Sequence, residues 1–454
     1  MDPVFLSRLQ FALTSMFHYI FPPLSIGLGL MLVIIEGAYI KTKKPLYKEM
    51  AKFWAGVFSL TFALGVATGL VQVFGFGTNW ANYSRFVGDV FGSALGAEGI
   101  FAFFLESGFL GLMLFGWNRL SPNMHYFSTC MVCLGAHFSA TWIVAANSWM
   151  QTPAGYRLAQ HGTEVRAVVT EFWQMIFNPS FMDRIVHVIF GCWLSGSFLV
   201  VSISAFYYLR KKHLSFAKES LKVGLLVSGV VLVLQLASAH STARGVAFNQ
   251  PTKLAAMEGI YETGSHAPLS LFGWVDTKNE TLHGLKIPSL LSYLIYNDAS
   301  EPVLGLNEVP KEDQPPVQIV YQAYHLMIWM WGLMVLVSLG ALFFWRKNRL
   351  IEAKWTLRAL IASVIFPAIA NQVGWITAEV GRQPWVVYKL LRTTEGVSRS
   401  IVAAEVAWSI SMLFMIYMLL MVLFLYLLDR KIKRGPISAK ETTSGMAEVY
   451  RNPT

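Results

Sequence analysis

Nine stretches of this chain stay apolar for about 18 residues or more, near residues 12–36, 53–76, 95–116, 127–147, 185–209, 223–240, 324–345, 356–378 and 402–428. No other feature constrains the fold as tightly. About 20 apolar residues in a helix span the hydrocarbon core of a bilayer. A segment in lipid must satisfy its own backbone polar groups, so repeated runs of this length read as helices. The expectation is an all-α, polytopic membrane protein with nine transmembrane helices. Only 14% of the 454 residues are charged, against about 25% in soluble domains. That excludes a soluble enzyme and a disordered chain. The net charge of +10 is spread between apolar runs rather than gathered on one solvated face, so the expected surroundings are membrane lipid and no nucleic acid.

The first run lacks a basic leader and a small-residue cleavage site, and Arg8, Gln10 and His18 interrupt its start, so it does not read as a cleaved signal peptide. With nine spans, one side of the membrane collects 22 of the 36 lysines and arginines in short loops and the tail. The positive-inside rule then puts the N-terminus outside and the C-terminus in the cytoplasm. The organisation expected is a six-helix membrane part (1–240), an external loop (241–323), a three-helix membrane part (324–430) and a polar cytoplasmic tail (431–454). Cys130, Cys133 and Cys192 all lie in apolar runs, which leaves neither a disulfide framework nor the four thiolates of an iron–sulfur site.

Ionisable groups inside a membrane need a partner or a task. His18, His187, Met327 and Glu379 fall in one layer near the external face. Haem iron takes His and Met as axial ligands, and a single His or carboxylate suits an iron that keeps one face open. Each also reads as an ordinary packing residue, and spacing alone leaves both readings open. Glu98 and Glu106 lie about 12 Å apart along one helix, where a water-filled seam would let them pass protons; a neutralised or salt-bridged pair is the alternative. His137 and His240 read as hydrogen-bonded or water-lining groups, and the cysteines as small packing residues.

Several blocks resemble one family: Ser7-Arg8-Leu9-Gln10-Phe11 leading to His18, Gly77-Thr78-Asn79-Trp80, Ala97-Glu98-Gly99 with Phe104-Leu105-Glu106-Ser107, Ala146-Asn147-Ser148-Trp149-Met150-Gln151, Thr252-Lys253-Leu254-Ala255-Ala256-Met257-Glu258, and Glu379-Val380-Gly381-Arg382-Gln383-Pro384-Trp385. In this order, on nine spans, they are similar to the large subunit (subunit I) of cytochrome bd-type quinol oxidases, copper-free terminal oxidases of the bacterial cytoplasmic membrane. The resemblance implies oxidation of quinol at the outer face. It also implies reduction of dioxygen to water with cytoplasmic protons, which generates a membrane potential without pumping.

The same resemblance makes His187 and Met327 the axial ligands of haem b558. It makes His18 and Glu379 ligands in the high-spin pair, haem b595 and haem d (or a second high-spin haem b), without saying which holds which. It places Trp375 between haems, Lys253 and Glu258 at the quinol site, and Glu98 and Glu106 on the proton route. Arg382 and Arg8 are candidates for the haem-edge carboxylates, which an arginine fork suits; either also reads as an interfacial arginine. Homologous subunit II and small single-span subunits are the implied partners. Long-loop members carry Arg two residues before the axial Met, where this chain has His325, and the external loop here is short. Two other readings compete with it, an ion-coupled transporter without haem and another quinone-linked cytochrome b. The first expects an internal repeat, the second paired histidines on one helix, and neither pattern is present.

Overall fold

The computed structural model describes residues 2–162 and 164–436; the tail expected beyond Lys440 lies outside them. Asp2 accepts from the backbone N–H groups of Val4 (3.1 Å) and Phe5 (3.2 Å) and so starts α1, Pro3–His18, as an N-cap carboxylate does. The helix stops at Tyr19, and Pro22 and Pro23 enter the first turn of α2, Phe21–Thr42, where the missing proline N–H is least costly. The first apolar run is therefore two helices with His18 at their joint. α3 (Pro45–Thr78) and the short α4 (Ala81–Phe86) follow. The third run is α5 (Gly88–Ala97), a π turn (Glu98–Phe103) and α6 (Phe104–Phe115). Ser121 caps α7, Pro122–Gln151, by accepting from the Met124 N–H.

A hairpin of β1 (Tyr156–His161) and β2 (Glu164–Val169) and the single-turn α8 (Phe172–Ile176) lead into α9 (Phe181–Leu209). α10 (Leu214–Asn249) runs straight to α11 (Pro251–Glu258). The hairpin β3 (Leu269–Asp276) and β4 (Thr281–Ile287) and helix α12 (Leu290–Tyr296) complete the long connection before α13 (Val317–Arg346). The eighth run divides into α14 (Lys354–Ala362) and α15 (Ile365–Val380). A small hairpin, β5 (Trp385–Val387) with β6 (Leu391–Arg392), and α16 (Thr393–Gly396) precede α17 (Ala403–Arg434).

Among the described residues nine helical stretches are long and apolar enough to cross a membrane, as the sequence implies, and the strands are confined to three two-stranded hairpins. The helices overrun the apolar segments because their ends continue where polar side chains can be solvated; α10 reaches Asn249, nine residues past the apolar run.

An enclosed apolar cluster joins α2, α3 and α9. Leu28, Met31, Ile35, Trp54 and Phe58 are fully enclosed there. α2 and α9 cross with their backbones touching: a Cβ on Gly27 would lie 2.2 Å from the Cys192 carbonyl oxygen, and one on Gly196 would lie 2.2 Å from Gly27. Small residues at such a crossing let helices approach closely where lipid gives no hydrophobic drive between them. This crossing fixes α9, and with it His187.

Candidate functional site

His18 ends α1, and its Nδ1 lies 2.9 Å from the Thr68 hydroxyl on α3. That hydroxyl donates to the Leu64 carbonyl (2.7 Å), so His18 Nδ1 must be the donor to it, and Nε2 is left with a free lone pair. A ring held through one nitrogen with the other unprotonated is the arrangement a metal-binding histidine needs. Gly69 lies beside the ring; a Cβ there would come within 3.2 Å of His18 Cε1.

His187 on α9 turns toward α10, where Gln235 Nε2 sits 3.1 Å from its Nε2 and the Ser238 hydroxyl 3.3 Å from its Nδ1. Met327 on α13 turns toward α15, and a Cβ on Gly374 would lie 3.1 Å from its Sδ. His325 points away from Met327, because two helical residues rotate the side chain by about 200°. Its ring nitrogens face the carbonyls of Tyr321 (2.9 Å) and Ser270 (3.1 Å), and Tyr321 stacks on it at 4.0 Å.

Glu379, near the end of α15, gathers the densest polar cluster. Asn147 (3.2 Å) and Gln151 (3.1 Å), both on α7, donate to its Oε1, and Arg382 pairs with its Oε2. Arg184 on α9 donates to Asn147 and lies over the Trp375 ring, 5.6 Å from its centroid; Trp375 in turn meets Tyr19, beside His18, edge-on at 5.4 Å. Lys253 donates to the Gln151 side chain (2.6 Å), and its stem fits against Gly381, where a Cβ would lie 2.9 Å from Lys253 Cγ. Burial first, then the Arg184 and Arg382 guanidiniums, hold the Lys253 ammonium well below the usual lysine range, with Glu379 acting in the opposite sense.

Three basic side chains thus surround one carboxylate, and their donors are not used up. Arg382 is 4% exposed, yet its Nε and Nη1 have no partner, and neither has Arg184 Nε. Buried guanidinium donors are rarely left unmatched. The surplus of positive charge and free donors calls for anionic oxygens, which the edge carboxylates of a porphyrin supply. The residues present fit haem.

Glu258 ends a different cluster. It is 1% exposed, its Oε2 accepts from the Ser270 backbone N–H (3.3 Å) and the Tyr324 hydroxyl bonds to it, while Oε1 has no partner. Burial pushes its carboxyl up to about 7, against the lowering from those two hydrogen bonds. Ser270 also binds the Tyr321 hydroxyl (2.5 Å), so His325 and Glu258 share one network. Lys253 and Glu258 are both buried rather than solvated, which neither residue type signals in a connecting segment.

Glu98 and Glu106 both face α7. Ser139 donates to Glu98 (2.8 Å), and a Cβ on Gly135 would lie 2.8 Å from Glu106 Cβ. Eight α-helical residues would leave the two about 80° apart around the axis; the π turn between them winds fewer degrees per residue and reduces that offset. Arg8 does not join the Glu379 cluster: it is exposed and lines a cavity of about 560 Å³ with Tyr261, Gln383, Pro384 and Arg392. His137 is satisfied on both sides, by the Cys133 carbonyl (2.7 Å) and the Trp193 indole N–H (2.9 Å), and His240 is exposed.

Sequence reasoning missed Arg184, Asn147, Gln151 and Ser139. Arg184 was findable as a charge one turn before His187; the two amides carry no signal of their own outside their motif.

The pattern of the family described as "Cytochrome bd terminal oxidase subunit I" matches residues 6–436. "Cytochrome bd ubiquinol oxidase subunit 1" of Bacillus subtilis (strain 168) is 40% identical over 447 residues, covering 96% of this chain and 94% of its own length. "Cytochrome bd-II ubiquinol oxidase subunit 1" of Escherichia coli (strain K12) is 33% identical over 502 residues, covering 96% and 97%. The solved bd oxidase from Geobacillus thermodenitrificans superimposes with a TM-score of 0.88 at 30% identity, over 96% of this chain and 99% of that one. With its nine apolar helices and this match along nearly its whole length, the chain belongs to the cytochrome bd terminal oxidase subunit I family, a family of haem-dependent, multi-pass membrane proteins.

Proposed function

We propose that this chain is the haem-bearing subunit of a quinol oxidase in the bacterial cytoplasmic membrane, oxidising quinol at the outer face and delivering cytoplasmic protons for the reduction of dioxygen to water. The cluster of Arg184, Lys253 and Arg382 around Glu379, with its unmatched buried donors, carries the reading. His187 and Met327 would hold haem b558; His18 and Glu379 would hold the high-spin pair, haem b595 and haem d or a second haem b. Bound there, the haems supply one-electron carriers between quinol and dioxygen and the site of oxygen binding.

The side chains do the rest. Thr68, Gln235 and Ser238 orient the two histidines, and Arg382, Arg184 and Lys253 offer donors to haem carboxylates. Glu258 accepts a proton from quinol, since a carboxyl near pH 7 matches that task. Glu98 and Glu106 pass protons inward from the cytoplasmic side. Release outside and uptake inside generate a membrane potential without a pump. The N-terminus then lies outside and the C-terminus inside, residues 1–240 and 324–430 form the membrane parts, 241–323 the quinol-binding connection, and 431–454 the cytoplasmic tail. Subunit II, and small single-span subunits, complete the assembly.

The test is co-expression with subunit II and purification of the complex. Expected are b-type absorption bands in the dithionite-reduced spectrum, with a further band toward the red for a chlorin haem, and quinol-dependent oxygen consumption. An assembled complex without haem bands, or one that leaves oxygen untouched, overturns the reading.

A further inference from the structure

Three carboxylic side chains are less than a tenth exposed among the described residues: Glu36, Glu106 and Glu258. The last two have tasks in the reading above; Glu36 has none. It lies near the end of α2 opposite the Glu258 side and is 2% exposed. Its Oε1 is 2.6 Å from Nδ1 of His125, itself 3% exposed, and its Oε2 accepts from the Thr129 hydroxyl at 2.6 Å.

We propose that Glu36, His125 and Thr129 form the entry station through which cytoplasmic protons reach Glu106 and Glu98. The proposal rests on the proton route read above and names where that route begins.

The geometry fixes a proton between the pair. His125 Nε2 lies 3.0 Å from the Met113 carbonyl oxygen, which can only accept, so Nε2 carries the hydrogen. A neutral imidazole then presents a bare Nδ1, and a bare nitrogen does not sit 2.6 Å from a carboxylate oxygen without a proton between them. The pair therefore holds one shared proton, as imidazolium with carboxylate or as imidazole with carboxylic acid. Such a group passes a proton on from one side while taking one up from the other.

Its placement points along the route. Met113 is seven residues from Glu106 on α6, about 10 Å along the axis. On α7, His125, Thr129 and Cys133 follow at four-residue spacing on one face, Gly135 packs on Glu106 and Ser139 donates to Glu98. One helix thus carries an exchangeable or hydroxyl group at successive levels from His125 to Glu98. Toward the solvent, the Trp117 ring covers His125 at 3.8 Å, and Lys52, exposed on α3, sits 5.5 Å over that indole. Tyr126 and Cys130 on α7 also lie within electrostatic reach of Glu36.

A purely structural pair would tie α2 to α7 and nothing more, and kinetics separate the two roles. In the purified complex with its subunit II, Glu36→Gln is expected to slow proton uptake on reaction of the reduced enzyme with oxygen at least tenfold. Haem content and the rate of haem reduction by quinol should stay at the parental level. Glu36→Asp should restore most of the uptake rate. A fully haem-loaded Glu36→Gln complex with the parental uptake rate overturns the proposal. Thr129→Val, nearly isosteric, carries the test if Glu36→Gln does not assemble: slower uptake supports the station, an unchanged rate overturns it. Parental complex lacking haem or quinol oxidation would instead defeat the functional reading itself.

Discussion

Lys253 and Glu258 lie five residues apart on the single buried helix α11, yet their side chains end in separate clusters, Lys253 beside Gln151 and Glu379, Glu258 beside Ser270 and Tyr324. Five residues at about 100° each put two side chains some 140° apart around a helix. The pair therefore reaches in two directions, and one short helix links the proposed quinol region to the Glu379 region.

That separation predicts different phenotypes. Glu258→Gln should lower quinol-dependent oxygen consumption by about tenfold or more with haem spectra unchanged, whereas Lys253→Met should disturb the high-spin haem bands. Turnover with quinol against turnover with an artificial donor, together with spectra of both variants, checks this; identical defects in the two variants would count against it.

The position of Glu258 sets a pH dependence. Its carboxyl is pushed up to about 7, and only the carboxylate accepts a proton, so quinol oxidation should rise with pH through about 7 and level off above it. The rise should vanish in Glu258→Gln. The sign for stability is opposite: burial favours the protonated form, so the contribution is complete below the ordinary carboxyl range and is lost as pH climbs through 7. Initial rates and thermal melts between pH 5 and 9 measure both.

Removing one donor from the Glu379 cluster should be costly. Arg382 is buried while the Glu379 side chain is 32% exposed, so the loss should fall below the about 3–5 kcal/mol of a fully buried ion pair. Arg382→Gln is expected to lose high-spin haem on purification while keeping the low-spin band, and Arg184→Gln to do so less severely because it reaches Glu379 through Asn147. Haem-to-protein ratios with difference spectra decide it.

Gly374 offers a graded probe of Met327. Since a Cβ there would meet Sδ at 3.1 Å, Gly374→Ala should shift the low-spin midpoint potential while retaining the haem, and Gly374→Leu should lose the band, as should His187→Ala and Met327→Leu. Redox titration followed at the low-spin band is the measurement.

Gly27→Ala tests the helix crossing. An added methyl would overlap backbone atoms of α9 at 2.2 Å, and forced separation of packed elements costs about 1–3 kcal/mol. A lower melting temperature of the solubilised complex is expected, with Gly27→Leu failing to accumulate in the membrane.

The nine spans were legible because a bilayer leaves a chain few ways to satisfy its backbone, and hydrophobic runs report that directly. His18, His187 and Glu379 stood out for the same reason: ionisable groups are expensive where they lie. Arg184 escaped notice since an arginine in the first turn of a span reads as an interfacial cation. Asn147 and Gln151 are neutral, and only the packing of α7 against α15 gives them a partner. Arg8, carried by a motif match, proved exposed, while the π turn after Ala97 has no compositional mark at all. The family resemblance puts Lys253 and Glu258 at one site; that their side chains end in separate clusters follows from the helical rotation of α11, which the sequence does not display.

α7 holds carboxylates at both of its ends and midway between them. Its 30 residues, a rod about 45 Å long, hold Glu36 through His125 and Thr129 at one end, Glu98 through Ser139 midway, and Glu379 through Asn147 and Gln151 at the other. On the proposed function, sliding or tilting this rod would act like a common camshaft and retime proton supply and iron geometry together. Bilayer thickness, one influence on the tilt of such a rod, would thereby become a lever on turnover.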